Sequence, residues 1–149
     1  MYHTGHIIHG QSIPYSDQKT IPITNPATGN AIGTVAIADT AQIDAAVKSA
    51  ESAFPAWSNT PAAQRAKILF KFRDILTQRI DELATIVCNE HGKTLTEAKQ
   101  SIGRGIECVE FACGIPRLLQ GQYSENVARS VDCYTLRQPV GEMCIRDRY

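Results

Sequence analysis

Apolar and polar positions follow two different periods along this chain, and the change of period divides it into strands, then helices, then strands again. Residues His6 to Gly10, with Ile13, form a short extended apolar stretch that leads into a polar turn at Ser16-Asp17-Gln18-Lys19. Thr20 to Thr24 is extended once more, so the two stretches predict a hairpin about that turn. Asn25-Pro26-Ala27-Thr28-Gly29-Asn30 is a turn cluster in which Pro26 presets φ while Gly29 and Asn30 accept positive φ. Ala31 to Ala38 reads as the next strand.

At Asp39 the period lengthens to that of a helix. Asp39 and Gln42 fit a capping box opening a first helix, with Ile43, Ala46, Val47, Ala50 and Phe54 on its inner face and Pro55 as its end. Thr60-Pro61 starts a second helix, with Pro61 at the first helical position, where its missing N–H costs nothing. Ile68, Leu69, Phe72, Ile75, Leu76, Ile80, Leu83, Ile86 and Val87 make it one long amphipathic helix, closed by Gly92. Thr94 and Glu97 fit a second capping box, and a third helix follows. Its apolar face is Leu95, Ala98, Ile102, Ile106, Val109 and Cys113, and it stops near Pro116 or one turn later at Leu118-Leu119. Gly121 to Asp132 is polar. Cys133 to Val140 alternates as a strand and pairs with Tyr123 to Val127. The architecture expected is α/β: N-terminal β-strands, three main α-helices, then a β-hairpin.

The third helix carries a polar anomaly. Arg104, Cys108 and Phe111 lie one or two turns apart on the side away from its apolar face, which points to a second packed surface. Gly103 and Gly105 flank Arg104. Each costs a helix interior roughly 1 kcal/mol relative to alanine, so the pair points to something that must come close. Two plainer readings stand beside this one. Arg104 pairs with Glu107 at the surface, or the glycines only allow helices to pack closely. The G-x-G is no phosphate loop, because it lies inside a helix, follows no strand and lacks the third glycine of the dinucleotide fingerprint.

Composition narrows the function classes. The 149 residues fit one domain, and 15 basic residues balance 15 acidic ones, with no basic cluster to hold nucleic acid. No apolar run is long enough to span a membrane, and the N-terminus has neither a secretion signal's apolar core nor a transit peptide's basic face. The cytoplasm is the expected compartment. Five cysteines (Cys88, Cys108, Cys113, Cys133 and Cys144) are an odd number without a C-x-x-C pair, which fits neither a disulfide framework nor a zinc site. Cys88 and His91 lie one turn apart at a helix end, with no third group to orient the imidazole. His3, His6 and His9 recur every third residue, which alternates faces in a strand, so a solvated terminus is expected there and no metal.

Taken in order, NPATG before a strand, AFPAWSNTPAAQRAKIL, EHGKTLTEA and DCYTLRQPVG resemble the N-terminal part of the aldehyde dehydrogenase superfamily. Within it, GRGIECVEFACGIPRLLQG is similar to the CoA-acylating methylmalonate-semialdehyde dehydrogenases. The resemblance covers residues 1–141, an incomplete NAD-binding domain with the start of an oligomerisation hairpin. It implies an NAD-dependent enzyme that turns methylmalonate or malonate semialdehyde into propionyl-CoA or acetyl-CoA with loss of carbon dioxide. It implies NAD and coenzyme A as cofactors, and a homo-oligomer, dimer or tetramer, assembled through the terminal hairpin. It also implies that Arg104 matches the arginine holding the substrate carboxylate, in place of the surface pair.

After Gly141 the pattern departs. Residues 142–149, Glu142 to Tyr149, match nothing of the apolar strand and asparagine-containing stretch that follow in the family. The family's catalytic cysteine, its acid/base glutamate and nearly all its NAD contacts have no counterpart here, so no catalytic residue is assigned. Cys144 lacks the context of the nucleophile. The expectation is a truncated product or incomplete sequence, inert by itself, whose catalytic domain is absent. A non-acylating aldehyde dehydrogenase and a non-catalytic assembly or binding module are the rival readings.

Overall fold

The structure is a computed structural model and describes residues 2–14 and 19–138. The expected turn at Ser16-Asp17-Gln18, the end of the expected strand at Val140, and Cys144 lie outside the described residues. The chain begins with β1 (Tyr2–Thr4), β2 (His6–Ile8), β3 (Gln11–Ile13), β4 (Thr20–Thr24) and β5 (Ala31–Ala36). Helices α1 (Thr40–Asn59), α2 (Ala62–Gln78), α3 (Ile80–His91), α4 (Leu95–Cys113) and α5 (Ile115–Leu118) follow, and then β6 (Tyr123–Ala128) and β7 (Val131–Tyr134). The α/β order stands as the period change predicts.

The strands pair differently from the expectation. β2 folds back on β3 in an antiparallel hairpin, with His6 opposite Ile13. His9 (φ 54°) and Gly10 (φ 70°) form its turn. Positive φ at both central residues gives a two-residue turn the twist of its strands, and this takes β3 away from β4. β4 pairs instead with β5 across the Asn25–Asn30 turn, which closes locally. There Asn25 Oδ1 accepts from Ala27 N at 2.9 Å, the Asn25 carbonyl accepts from Gly29 N at 2.8 Å, and Gly29 has φ 73°. β1 adds to the other edge of β5 in parallel, Tyr2 opposite Gly33, giving the sheet order β1-β5-β4.

Both capping boxes form, at Asp39/Gln42 and at Thr94/Glu97. Pro55 does not end α1. Its missing N–H withdraws one donor from the Glu51 carbonyl in an exposed part of the helix, while Ser58 Oγ (3.1 Å) and Asn59 Nδ2 (2.9 Å) donate to the Pro55 carbonyl and hold the last turn. Pro61 precedes the first residue of α2 instead of occupying it. The expected single second helix is two helices that meet at Arg79, where φ −103° and ψ 19° bend the backbone. The bond from Arg79 N to the Ile75 carbonyl and that from Leu83 N to the Arg79 carbonyl, both 3.0 Å, survive the bend. The Arg79 guanidinium grips Glu82 with Nε (2.8 Å) and Nη2 (2.6 Å), and Asp81 and Glu82 place negative charge on the first turn of α3. The terminal strand starts at Val131, two residues before the expected Cys133, and pairs with β6 around an irregularity between Ser124 and Ala128.

α2 and α3 pack on α4 through small residues. Ala66, Ala84, Ala98 and Cys113 are the buried residues of these helices, and Ala84 and Ala98 are 0 % exposed. Lys99 of α4 is ion-paired with Asp81 of α3. The larger apolar side chains expected as inner faces, among them Ile43, Val47, Phe54, Ile68, Phe72, Ile75, Ile86 and Leu95, remain exposed. No fully buried side chain of large volume occurs among the described residues. The physical reason is supply: among the described residues the main neighbour of α1 is β2 of the small hairpin, while α2 and α3 pack chiefly on α4. The surface is 12048 Å², against roughly 7,500 Å² for a compact protein of 16.3 kDa.

Candidate functional site

The site is built on α4, whose start is fixed by local hydrogen bonds. Glu97 N donates to Thr94 Oγ1 at 3.3 Å, and Glu97 Oε2 accepts from Thr94 Oγ1 at 2.8 Å and from Thr94 N at 3.2 Å. The Thr94 hydroxyl, then its amide, hold the Glu97 carboxyl below the usual carboxylate range. With its first turn pinned, the helix carries Arg104, Cys108 and Phe111 on its exposed side. Phe111 is 72 % exposed, so in this chain the expected second packed surface is open.

The guanidinium of Arg104 does not pair with Glu107. Its Nη2 donates to Ser101 Oγ at 3.2 Å, one turn back. Lys93, just before the helix cap, reaches forward so that Nζ meets the same oxygen at 3.1 Å. Gly103 and Gly105 face open space: beyond their chain neighbours and the backbone of their own helix, no atom of the described residues lies within 4 Å of where a β-carbon would stand. Close helix packing therefore does not account for them among the described residues. Lys93 and Ser101 were not singled out from the sequence, although Ser101 stands three residues before Arg104 and so shares its helix face.

The other candidates stay apart. Cys88 is half-buried and His91 exposed in the last turn of α3, and no hydrogen bond joins them. His3 Nδ1 meets Thr34 Oγ1 at 2.7 Å, and His9 Nδ1 meets Ser49 Oγ at 3.2 Å. His6 lines an apolar cleft between the β2–β3 hairpin and α1, with Ile7, Ile8, Ile43 and Val47, and its buried Nε2 has no partner. Among the described residues, Cys88, Cys108, Cys113 and Cys133 are free thiols, no group of three His, Cys, Asp or Glu gathers as metal ligands, and no helix is long and apolar enough to cross a membrane.

Comparison with known proteins agrees with the motifs. The sequence pattern of the aldehyde dehydrogenase family matches residues 14–145. The malonate-semialdehyde dehydrogenase of Pseudomonas aeruginosa is 40 % identical over 136 residues, which is 91 % of this chain and 27 % of that protein. The mitochondrial acylating methylmalonate-semialdehyde dehydrogenase of Arabidopsis thaliana is 37 % identical over 135 residues, 91 % of this chain and 22 % of that protein. A crystal structure from Sinorhizobium meliloti in complex with NAD, described as a methylmalonate-semialdehyde dehydrogenase, superposes with a TM-score of 0.89 at 42 % identity. The match covers 95 % of this chain and 29 % of that one. The methylmalonate-semialdehyde dehydrogenase of Oceanimonas doudoroffii gives a TM-score of 0.88 at 39 % identity, over 93 % of this chain and 28 % of its own. This chain thus spans less than a third of the length of these relatives, and within that span it belongs to the aldehyde dehydrogenase family.

Proposed function

We propose that the chain is the N-terminal portion of an NAD-dependent, CoA-acylating dehydrogenase of malonate or methylmalonate semialdehyde, in which Arg104 holds the substrate carboxylate. The observation that carries this reading is the state of Arg104. Its guanidinium is exposed on α4, flanked by two glycines with open space around them, and it is not spent on the neighbouring Glu107. In the proposed reaction malonate semialdehyde, NAD⁺ and coenzyme A become acetyl-CoA, carbon dioxide and NADH; the methyl-substituted substrate gives propionyl-CoA. A semialdehyde brings a carboxylate into the pocket, and an unpaired charge there is costly to desolvate. A planar guanidinium answers that need with two parallel donors and a charge that persists at any working pH.

The Gly103–Gly105 segment does not fit the pyrophosphate of a dinucleotide. The amides around Gly103 and Gly105 lie inside α4, where they are committed to the helix, so none is free to meet a pyrophosphate. No chemical step is therefore assigned to this chain, and by itself it is expected to form no NADH from any aldehyde. The exposed Tyr123, Val127, Val131, Tyr134 and Leu136 on and beside β6–β7 support a role for the hairpin in a homo-oligomer, dimer or tetramer.

The test is Arg104→Leu in the full-length enzyme, with kcat/KM measured on methylmalonate semialdehyde and on propanal, which lacks the carboxylate. A hydrogen bond to a charged group contributes about 1.5–3 kcal/mol, so the charged substrate should lose roughly ten- to two-hundred-fold and propanal far less. Arg104→Lys should recover part of the loss. Equal losses on both aldehydes would sink the assignment.

A further inference from the structure

Two cations converge on one neutral hydroxyl. Lys93 Nζ lies 3.1 Å and Arg104 Nη2 3.2 Å from Ser101 Oγ, and neither cation is in an ion pair among the described residues. Ammonium and guanidinium groups only donate, so Ser101 Oγ accepts from both and uses both of its lone pairs. Its own hydrogen is then left over. It does not turn back to a helix carbonyl, as the hydroxyls of Thr77 and Thr85 do. The carboxylate closest in sequence to Lys93 within this turn, Glu97, is engaged by the Thr94 cap. The cluster holds three kinds of donor and two positive charges, and the charge of Glu97 reaches Lys93 through space without closing an ion pair among the described residues.

We propose that Lys93, Ser101 and Arg104 form a three-donor seat for a carboxylate. Ser101 is its positioning residue: it ties the flexible Lys93 ammonium to the Arg104 fork and adds a neutral donor between them. This rests on the reading of Arg104 as the carboxylate anchor and deepens it, because it makes recognition a property of three residues. The cap at Thr94 belongs to the device: it fixes the turn from which Lys93 departs, and it takes the hydrogen bonds of Glu97, so that Glu97 acts on the ammonium only through space. A carboxylate entering the seat relieves the repulsion between the two cations, so the seat binds an anionic substrate in preference to an uncharged one of equal length.

The experiment uses the full-length enzyme and the ratio of kcat/KM for malonate semialdehyde to that for propanal. Malonate serves as an inert probe, through its inhibition constant. Ser101→Ala and Lys93→Gln should each lower the ratio about ten-fold, mainly through KM, and weaken inhibition by malonate in parallel. Ser101→Thr, which keeps the hydroxyl, should restore most of both. A hydroxyl that only supported the helix would change both aldehydes together. If Arg104→Leu collapses the ratio while Ser101→Ala and Lys93→Gln leave it intact, the seat is overturned and Arg104 remains a lone anchor. If Ser101→Ala and Lys93→Gln collapse it and Arg104→Leu does not, the Lys93–Ser101 half of the seat stands and the Arg104 role falls. Equal losses on both aldehydes in all three variants overturn both readings.

Discussion

Tyr123 donates its phenolic hydrogen to Asp132 across the terminal hairpin, Oη to Oδ2 at 2.7 Å, while the other carboxylate oxygen takes the Asn126 amide at 2.8 Å. Asn126 sits in the irregular part of β6 with φ 52°, where the strand ladder offers its amide no regular partner. One side chain thereby closes a gap in the backbone and anchors a tyrosine. The phenol, then the amide, hold the Asp132 carboxyl below the usual carboxylate range, and the carboxylate pushes the Tyr123 hydroxyl up.

The signs give the hairpin a pH window. Asp132 has a depressed folded-state value, so its contribution is present above its unfolded value and is lost as pH falls through the folded one. Tyr123 has a raised value, so its contribution is present below its unfolded value and is lost as pH rises through the folded one. Tyr123→Phe should move the Asp132 titration midpoint upward but leave it below normal, since the Asn126 amide remains. Carboxyl NMR titration of both proteins checks this. An unmoved midpoint would mean that the phenol contributes nothing.

Alanine at Gly103 or Gly105 should stabilise the isolated chain, because its methyl group meets no atom and a helix interior gains roughly 1 kcal/mol per glycine replaced. In the full-length enzyme the same changes should lower turnover of the semialdehyde, if the space is kept open for an approaching group. Thermal melts of the chain and kcat/KM of the enzyme form the pair of readings. A stabilised enzyme with unchanged turnover would leave the glycines without a functional reason.

Gly92 behaves oppositely. It ends α3 at φ 66°, and a β-carbon there would stand 2.9 Å from Ala27 N and 3.1 Å from Pro26 Cγ. Ala27 cannot easily yield, since its amide is held by Asn25 Oδ1. Left-handed backbone alone costs a non-glycine residue about 1–2 kcal/mol, so Gly92→Ala should destabilise by at least ~1 kcal/mol. Denaturant melts give the value, and a neutral result would show that the two turns do not touch in solution.

Large apolar side chains are exposed along α1, α2 and the terminal hairpin, and contiguous apolar patches above a few hundred Å² drive association. The isolated chain should bind a dye that reports exposed apolar surface, and its light scattering should rise with concentration. A monodisperse monomer with a sharp melt and no dye binding would contradict this.

What was legible in the sequence was what neighbours decide among themselves. Asp39 with Gln42, and Thr94 with Glu97, are three residues apart, so each capping box needs no tertiary information. The bend at Arg79 left no trace, because the apolar period runs through it unbroken. His9 is an uncommon residue for a turn needing positive φ, and the hairpin it closes was missed with it. For Arg104 the one surface partner expected from the sequence is Glu107, although Ser101 stands at equal spacing behind it, and the coordinates choose Ser101. Lys93 precedes the helix cap, so helical periodicity says nothing about where its side chain goes. On α4 the expected inner face is the covered one, with Ala98 and Cys113 buried, whereas the expected inner face of α1 is exposed throughout, because burial depends on what packs against a helix.

The parallel pairing of β1 with β5 sets an order of events during synthesis. Tyr2 and Thr4 are synthesised before their partners Gly33 and Val35, which follow only after the Asn25–Asn30 turn has been made. Local closure through that turn brings β4 to β5 early, whereas β1 must close a much longer loop to reach the remaining edge. Within this sheet the strand that comes earliest in the chain therefore has the longest loop to close before it is placed. Until it docks, β5 presents an open edge to any extended segment nearby.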